Sequence, residues 1–217
     1  SLTVLLLRDQ NSDTLLYADT IQALFSLFRL YQNGKLSLDS VALSGLVVNI
    51  TKLQKDSSYN FQFLLDAFPK DTLKPSRSSS FDLAILGATL SDCRFSHHIF
   101  GGGNAAANYS VRNINAHLKL GSIRFNHFDS QLYHLSATDS SGLKIDTLRF
   151  RFFSTGDSLL IAEDFFLTLP ASQLKIPEAN YSLRVDSFRG EISFAEIYLP
   201  DLKRYVSGFK EFKEPIH

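Results

Sequence analysis

The sequence predicts a mainly β fold: one long, bent antiparallel sheet curled into a groove (a β-taco), with about three short helices. Three observations point there. Apolar residues recur at the two-residue period of half-buried strands over most of the chain. That period is broken repeatedly by a single step of three, each time at a short polar or glycine-containing pair. The apolar rows also exceed what a few short helices can cover, and an apolar sheet face must be covered by something. A closed β-sandwich is the competing arrangement, because two sheets zipped together use the same spacing.

The organising stretch is Lys35–Leu53. Its apolar residues are Leu36, Leu38, Val41, Leu43, Leu46, Val48 and Ile50, spaced two, three, two, three, two, two. A regular strand would step by two throughout, and a helix by three and four. The steps of three enclose Asp39-Ser40 and Ser44-Gly45, which tolerate the dihedrals of a β-bulge. A bulge restores phase, so this stretch is one long bent strand, or two short ones, with its apolar residues on one concave face. The pattern returns in Phe81–Phe95 around Ser91-Asp92, with Leu83 and Ile85, and in Leu118, Leu120, Ile123 and Phe125 around Gly121-Ser122. It recurs around Asp146-Thr147 with Leu148 and Phe150, and around Glu163-Asp164 with Leu167 and Leu169. A further copy spans Pro177-Glu178, with Leu183 and Val185, and a last one has Ile192 and Phe194 followed by Ile197 and Leu199.

In chain order, Leu2–Leu7 is a strand, Asp9–Asp13 a turn, and a second strand runs to about Phe25. A short helix follows over Ser26–Gln32, ended by Asn33-Gly34, which accept the left-handed cap conformation. Ser57-Ser58 caps a second helix with Phe61, Leu64, Leu65 and Phe68 on one face, stopped by Pro69. Polar residues 69–80 and the glycine- and alanine-rich 101–108 read as mobile linkers flanking a strand pair over Phe81–Phe100. Tyr109–Leu199 is nearly all strand. Pro200-Asp201 opens an amphipathic segment with Leu202, Tyr205, Val206 and Phe209, and Lys213–His217 is a frayed tail. Residues 1–217 form a single domain on this pattern.

Composition narrows the function. The 22 Lys+Arg balance 22 Asp+Glu, which removes the basic footprint of a nucleic-acid binder. Nineteen Phe and no Trp supply apolar area without polar handles, suited to a greasy interior. Cys93 falls in an apolar-periodic position and reads as a buried structural thiol. The chain holds no Met, even at its start, and is expected to be a processed protein or a piece of a longer one. No run approaches the roughly 18 apolar residues of a membrane span.

Chemistry-bearing constellations are absent from the pattern. Gly101-x-Gly103-x-x-Ala106 matches a dinucleotide fingerprint on paper, but a strand-like alternation follows where a helix is needed. His97-His98 point to opposite faces of a strand and cannot chelate one ion. No nucleophile elbow occurs, and the carboxylates lie at turns and strand flanks without a hydrolytic spacing. The expectation is a protein that is not an enzyme, with neither metal nor cofactor.

Leu15–Ile50 resembles the N-terminal part of AsmA-like proteins of the TamB type. The matching elements are Tyr17-Ala18-Asp19, Gly34-Lys35-Leu36 and Val41–Ile50, in that order. Asn60–Phe68, the run from Phe81 to Leu90 and the run from Phe166 to Ile176 are also similar to these proteins. The resemblance implies a membrane-proximal segment of a bridge-like lipid-transfer protein of the diderm envelope. An anchor outside this chain would hold it to the inner membrane. A β-groove would carry phospholipid across the periplasm, and a C-terminal domain would meet an outer-membrane barrel of the TamA type. Assisted assembly of outer-membrane proteins is a second implied activity, and a secreted β-sandwich binding module is the alternative outside the family. The groove candidates are the seven residues of the organising stretch with Leu83, Ile85, Leu118, Leu120, Leu148, Phe150, Leu167, Leu169, Leu183 and Val185.

Overall fold

A computed structural model describes residues 1–25, 36–53, 58–67, 83–100, 108–120, 128–155 and 159–202. Among them, thirteen strands join in one open sheet. The strands are β1 (Leu2–Arg8), β2 (Thr14–Phe25), β3 (Leu36–Ser44), β4 (Val47–Leu53), β5 (Leu83–Ile85), β6 (Gly87–Phe100) and β7 (Tyr109–Leu120). They continue as β8 (Asp129–Asp139), β9 (Lys144–Thr155), β10 (Leu159–Thr168), β11 (Gln173–Ser182), β12 (Ser187–Gly190) and β13 (Phe194–Glu196). Two short helices accompany them, α1 (Gln62–Ala67) and α2 (Leu199–Leu202). From β6 to β12 the strands follow each other as a meander. Beyond β6 the order is β4, β2, β3 and β5, with β1 on β2 and β13 on β11.

The organising stretch is a long strand broken once. Its halves β3 and β4 lie end to end between the same neighbours, β2 on one side and β6 on the other. The break falls at Gly45, whose φ is +60°. Only glycine takes that region cheaply, and a Cβ there would lie 1.9 Å from Asp19 Oδ2. Gly45→Ala is expected to lower the unfolding free energy by about 1–3 kcal/mol, read from a urea transition.

Bulges occur at four of the predicted steps of three. Asp39 is skipped between Leu24↔Ser40 and Phe25↔Leu38. Asp92 and Asp164 take φ of 50° and 53°, at register shifts on β6 and β10. Asp146-Thr147 is a bulge on β9, two residues opposite Ser136 of β8. At Pro177-Glu178, β11 stays in register with β10, and the two strands pass through the irregularity together. Asn113, at φ 52°, adds another bulge between Val111 and Ile114. Bulges bend the strand that carries them and increase its twist. Here they sit near mid-strand on successive neighbours, so the strands bend together and the sheet curls about a line running across them.

Four expectations are corrected. The sheet is mixed, because β3 runs parallel to β5 and β6, and β4 parallel to β6. Side-chain alternation is the same in both pairings, so spacing does not distinguish them. Phe81–Phe100 is no strand pair: β5 and β6 are successive partners of β3, separated at Leu86. The second helix begins at Gln62, later than Ser57-Ser58 suggested, because Tyr59 bridges Lys52 and the Asn60 side chain pairs with strand backbone on both sides of Ile50. Leu183 and Val185 lie in a turn, described below. The expected helix over Ser26–Gln32, the linker 69–80, residues 101–107 of the glycine- and alanine-rich loop, the Gly121-Ser122 interruption with Ile123 and Phe125, and Tyr205 onward lie outside the described residues.

Candidate functional site: an apolar groove

Residues opposite one another in a ladder project to the same side of a sheet. Following partners from strand to strand therefore traces rows across it. One row runs Leu2, Ile21, Leu43, Leu90, Ala116, Leu135, Leu148, Leu167, Leu174 and Ala195. Every member is apolar, over ten strands. At the roughly 4.8 Å spacing of neighbouring strands the row is on the order of 40 Å long. The rows beside it share its character. Ala23, Val41, Ala88, Leu118, Leu132 and Phe150 form one, and Phe150 stacks on Phe165 at 6.2 Å. Leu7, Leu16, Val48, Phe95 and Val111 form another.

The reverse face is polar. Lys119, Gln131, Arg151, Glu163 and Glu178 make a row there. Arg151 donates to Asp129 at 3.0 and 3.1 Å and to Glu163 at 3.3 Å, and it covers Phe153 at 4.7 Å. Asp129 above all, then Glu163, raise the Arg151 pKa further. Arg149 likewise covers Phe166 at 4.8 Å. These are exposed pairs of small energetic weight, but they keep that face wet and leave the apolar face as the distinctive one.

The apolar face has little cover among the described residues. Of the row members, Leu43, Leu90, Leu135, Leu148, Leu167 and Leu174 are only half-buried. Among the described residues no large side chain is fully buried, and the buried apolar set is mostly small: Ala18, Cys93, Ala116, Ala137 and Ala179, with Leu15, Leu169 and Leu199. A zipped sandwich would bury its leucines and phenylalanines from both layers. Among the described residues, the bends and the scant cover together make an open groove along the leucine row.

The sequence candidates distribute unevenly on this surface. Leu43, Leu148 and Leu167 fall on the long row, Val41, Leu118 and Phe150 on its neighbour, and Val48 on the row of Phe95. Leu120 pairs with Ser130 toward one rim, and Ile50 with His97 toward the other. Leu36, Leu38, Leu83 and Ile85 are brought together by the β3–β5 ladder. Leu46 lies half-buried in the break between β3 and β4, and Leu169 is buried just past β10. Leu183 and Val185 are 53% and 71% exposed, outside the groove. The chain turns there because Asp186 takes a φ of 48° and accepts the Tyr181 hydroxyl, a bond that also raises the phenol's pKa. Leu90, Leu135 and Leu174 belong to the long row and were not among the candidates, although the same two-and-three spacing carries them.

At the last strands the groove meets α2. Leu167, Leu169, Leu174, Ile197 and Leu202 line a pocket of about 210 Å³ there. Ser172 holds the helix in place: its hydroxyl donates to Asp201 Oδ2 at 2.8 Å and accepts from the Tyr198 N–H at 2.9 Å. Asp201 Oδ2 also accepts the Ala171 N–H at 3.0 Å. Leu199 is buried by this docking. Among the described residues no cluster of three or more His, Cys, Asp or Glu side chains is placed to hold a metal ion.

The fold and its face define a class, an open-sheet β protein with a continuous apolar groove. Comparison with protein-family models, with curated proteins and with solved structures finds no match.

Proposed function

We propose that this chain is a non-enzymatic conduit segment, whose groove holds and passes the acyl chains of phospholipid along the leucine row. The observation that carries this is the unbroken apolar row, with little cover for it among the described residues. An apolar face of this length, left in water, is costly, and a bound alkyl chain removes the cost. A chain burying about 200 Å² gains about 5 kcal/mol at ~25 cal/mol per Å², without polar recognition. The groove runs across the strands, so neighbouring positions along it are chemically alike, which suits movement better than fixed binding. The envelope setting rests on the resemblance of Leu15–Ile50: inner-membrane attachment through an anchor outside this chain, transfer toward the outer membrane, and an outer-membrane barrel partner of the TamA type.

Native mass spectrometry of the protein purified from bacterial cells is expected to show adducts of phospholipid mass that organic extraction removes. Repeated preparations free of lipid, in a protein that also fails to take up added phospholipid, would remove this function.

A second function, a scaffold offering strand edges to outer-membrane barrel proteins, is favoured by the sheet's two ends. Strand β1 exposes Leu2, Val4 and Leu6, and β12 exposes Phe188 at 70%. Free apolar edges add strands from other chains. Crosslinks from β1 or β12 to client strands, in place of bound lipid, would select it.

A further inference from the structure

The pocket beneath α2 differs from the rest of the groove. The groove is an open channel of half-covered side chains, whereas here a helix and the segment before it fold over its floor. Two floor residues, Leu167 and Leu174, are consecutive members of the long row. Ile197 and Leu202 face them from the covering segment. The wall is almost wholly apolar: Gln173 and Ser172 complete the lining but add little polar surface, and the Ser172 hydroxyl and Asp201 Oδ2 bond to each other and to the backbone of Tyr198 and Ala171. A charged headgroup would find little polar surface in this lining and would lose its hydration. An apolar lining of this kind favours apolar guests over water.

We propose that this pocket receives the terminal methylenes of an alkyl chain lying along the leucine row, with the chain's polar end directed away from α2. This rests on the groove holding acyl chains, and it adds a polarity to the bound chain. The argument is continuity: the same row supplies both channel floor and pocket floor, so a chain end sliding along Leu135, Leu148 and Leu167 enters the pocket without crossing a polar residue. The Asp201–Ser172 contact fixes the roof and sets where the chain stops.

The test uses the absence of tryptophan from the chain. Ile197→Trp places a sole indole at the pocket, and Leu43→Trp places one far along the row. Each full-length variant is loaded with phosphatidylcholine brominated either near the methyl end or near the carboxyl end of one acyl chain. The expected result is that methyl-end bromine removes most of the Ile197→Trp emission and carboxyl-end bromine removes little. Equal quenching by the two lipids, or the reverse order, overturns the assigned polarity. Quenching at Leu43→Trp alone, with Ile197→Trp untouched, overturns the pocket while leaving the groove function standing. No quenching at either indole defeats both. Should Ile197→Trp fail to fold by circular dichroism, Leu202→Trp reports from the same roof and is judged by the same outcomes.

Discussion

Replacing Leu43 and Val48 together by aspartate is expected to abolish lipid binding while leaving the protein folded. The two residues lie on adjacent strand segments and project into the groove from neighbouring rows. Both are half-buried. In an open channel an introduced carboxylate keeps much of its water, so the loss is part of the side-chain transfer energy plus a partial desolvation. We expect about 2–4 kcal/mol for the pair, within the usual 5–15 kcal/mol of domain stability. In a sealed core the same charges would be stripped of solvent at a cost exceeding that whole stability. For the ligand the change is severe, because two fixed charges interrupt an apolar path. The check is a joint one: circular dichroism and a cooperative urea transition retained, phospholipid adducts lost. Unfolding of the double variant would mean that this part of the sheet is a closed core.

The second large effect is expected at Asn49. Its Nδ2 donates to the Thr14 carbonyl at 3.0 Å, and its Oδ1 accepts the hydroxyl of the buried Ser96 at 2.5 Å. Its own carbonyl accepts Asn60 Nδ2 at 2.9 Å, and Asn60 Oδ1 accepts the Thr51 N–H at 3.0 Å. One side chain thus joins β2, β4 and β6, where antiparallel and parallel pairings meet. Asn49→Ala leaves the Ser96 hydroxyl and the Thr14 carbonyl without these partners. At about 1–3 kcal/mol for each abandoned group, we expect a loss of about 2–6 kcal/mol by urea denaturation. Ser96→Ala alone should cost less. In the double variant Ser96 no longer needs a partner, so the combined loss should fall short of the sum. Additivity within about 0.3–0.5 kcal/mol would show that the two residues act independently.

Much of this architecture is legible in the residues, for a definite reason. Asp39-Ser40, Ser91-Asp92 and Glu163-Asp164 mark bulges because phase must be restored after an inserted residue, and few residue types tolerate the required dihedrals. Ser44-Gly45, marked by the same step of three, is instead a strand break at which both neighbours stay in register. What spacing cannot show is register. Each strand announces its own apolar side, but the alignment of Leu43 with Leu90, Ala116 and Leu135 is a tertiary fact. The parallel pairing of β3 and β4 with β6 is hidden for the same cause. Leu183 and Val185 extend the two-residue spacing of Tyr181, yet the chain turns at Asp186 so that Phe188 can pair back on Tyr181. Local alternation therefore persists past the end of the strand. The α2 pocket is not legible in the sequence because its floor and roof come from strand, turn and helix residues that meet through tertiary contacts: the β11–β13 ladder and the bonds of Ser172 and Asp201.

The central claim is that the leucine row faces an open channel, and thiol accessibility tests it most directly. Cys93, the sole cysteine, is 3% exposed and serves as the internal standard for a buried thiol. In a Cys93→Ala background, single cysteines at Leu135, Leu148 and Leu167 are to be labelled with a small maleimide in lipid-free protein. Labelling of all three far faster than Cys93 in the parent chain, and suppressed when phospholipid is restored, is the predicted result. Thiols as protected as Cys93 in the lipid-free protein would mean that the row is sealed within a core, and would contradict the groove.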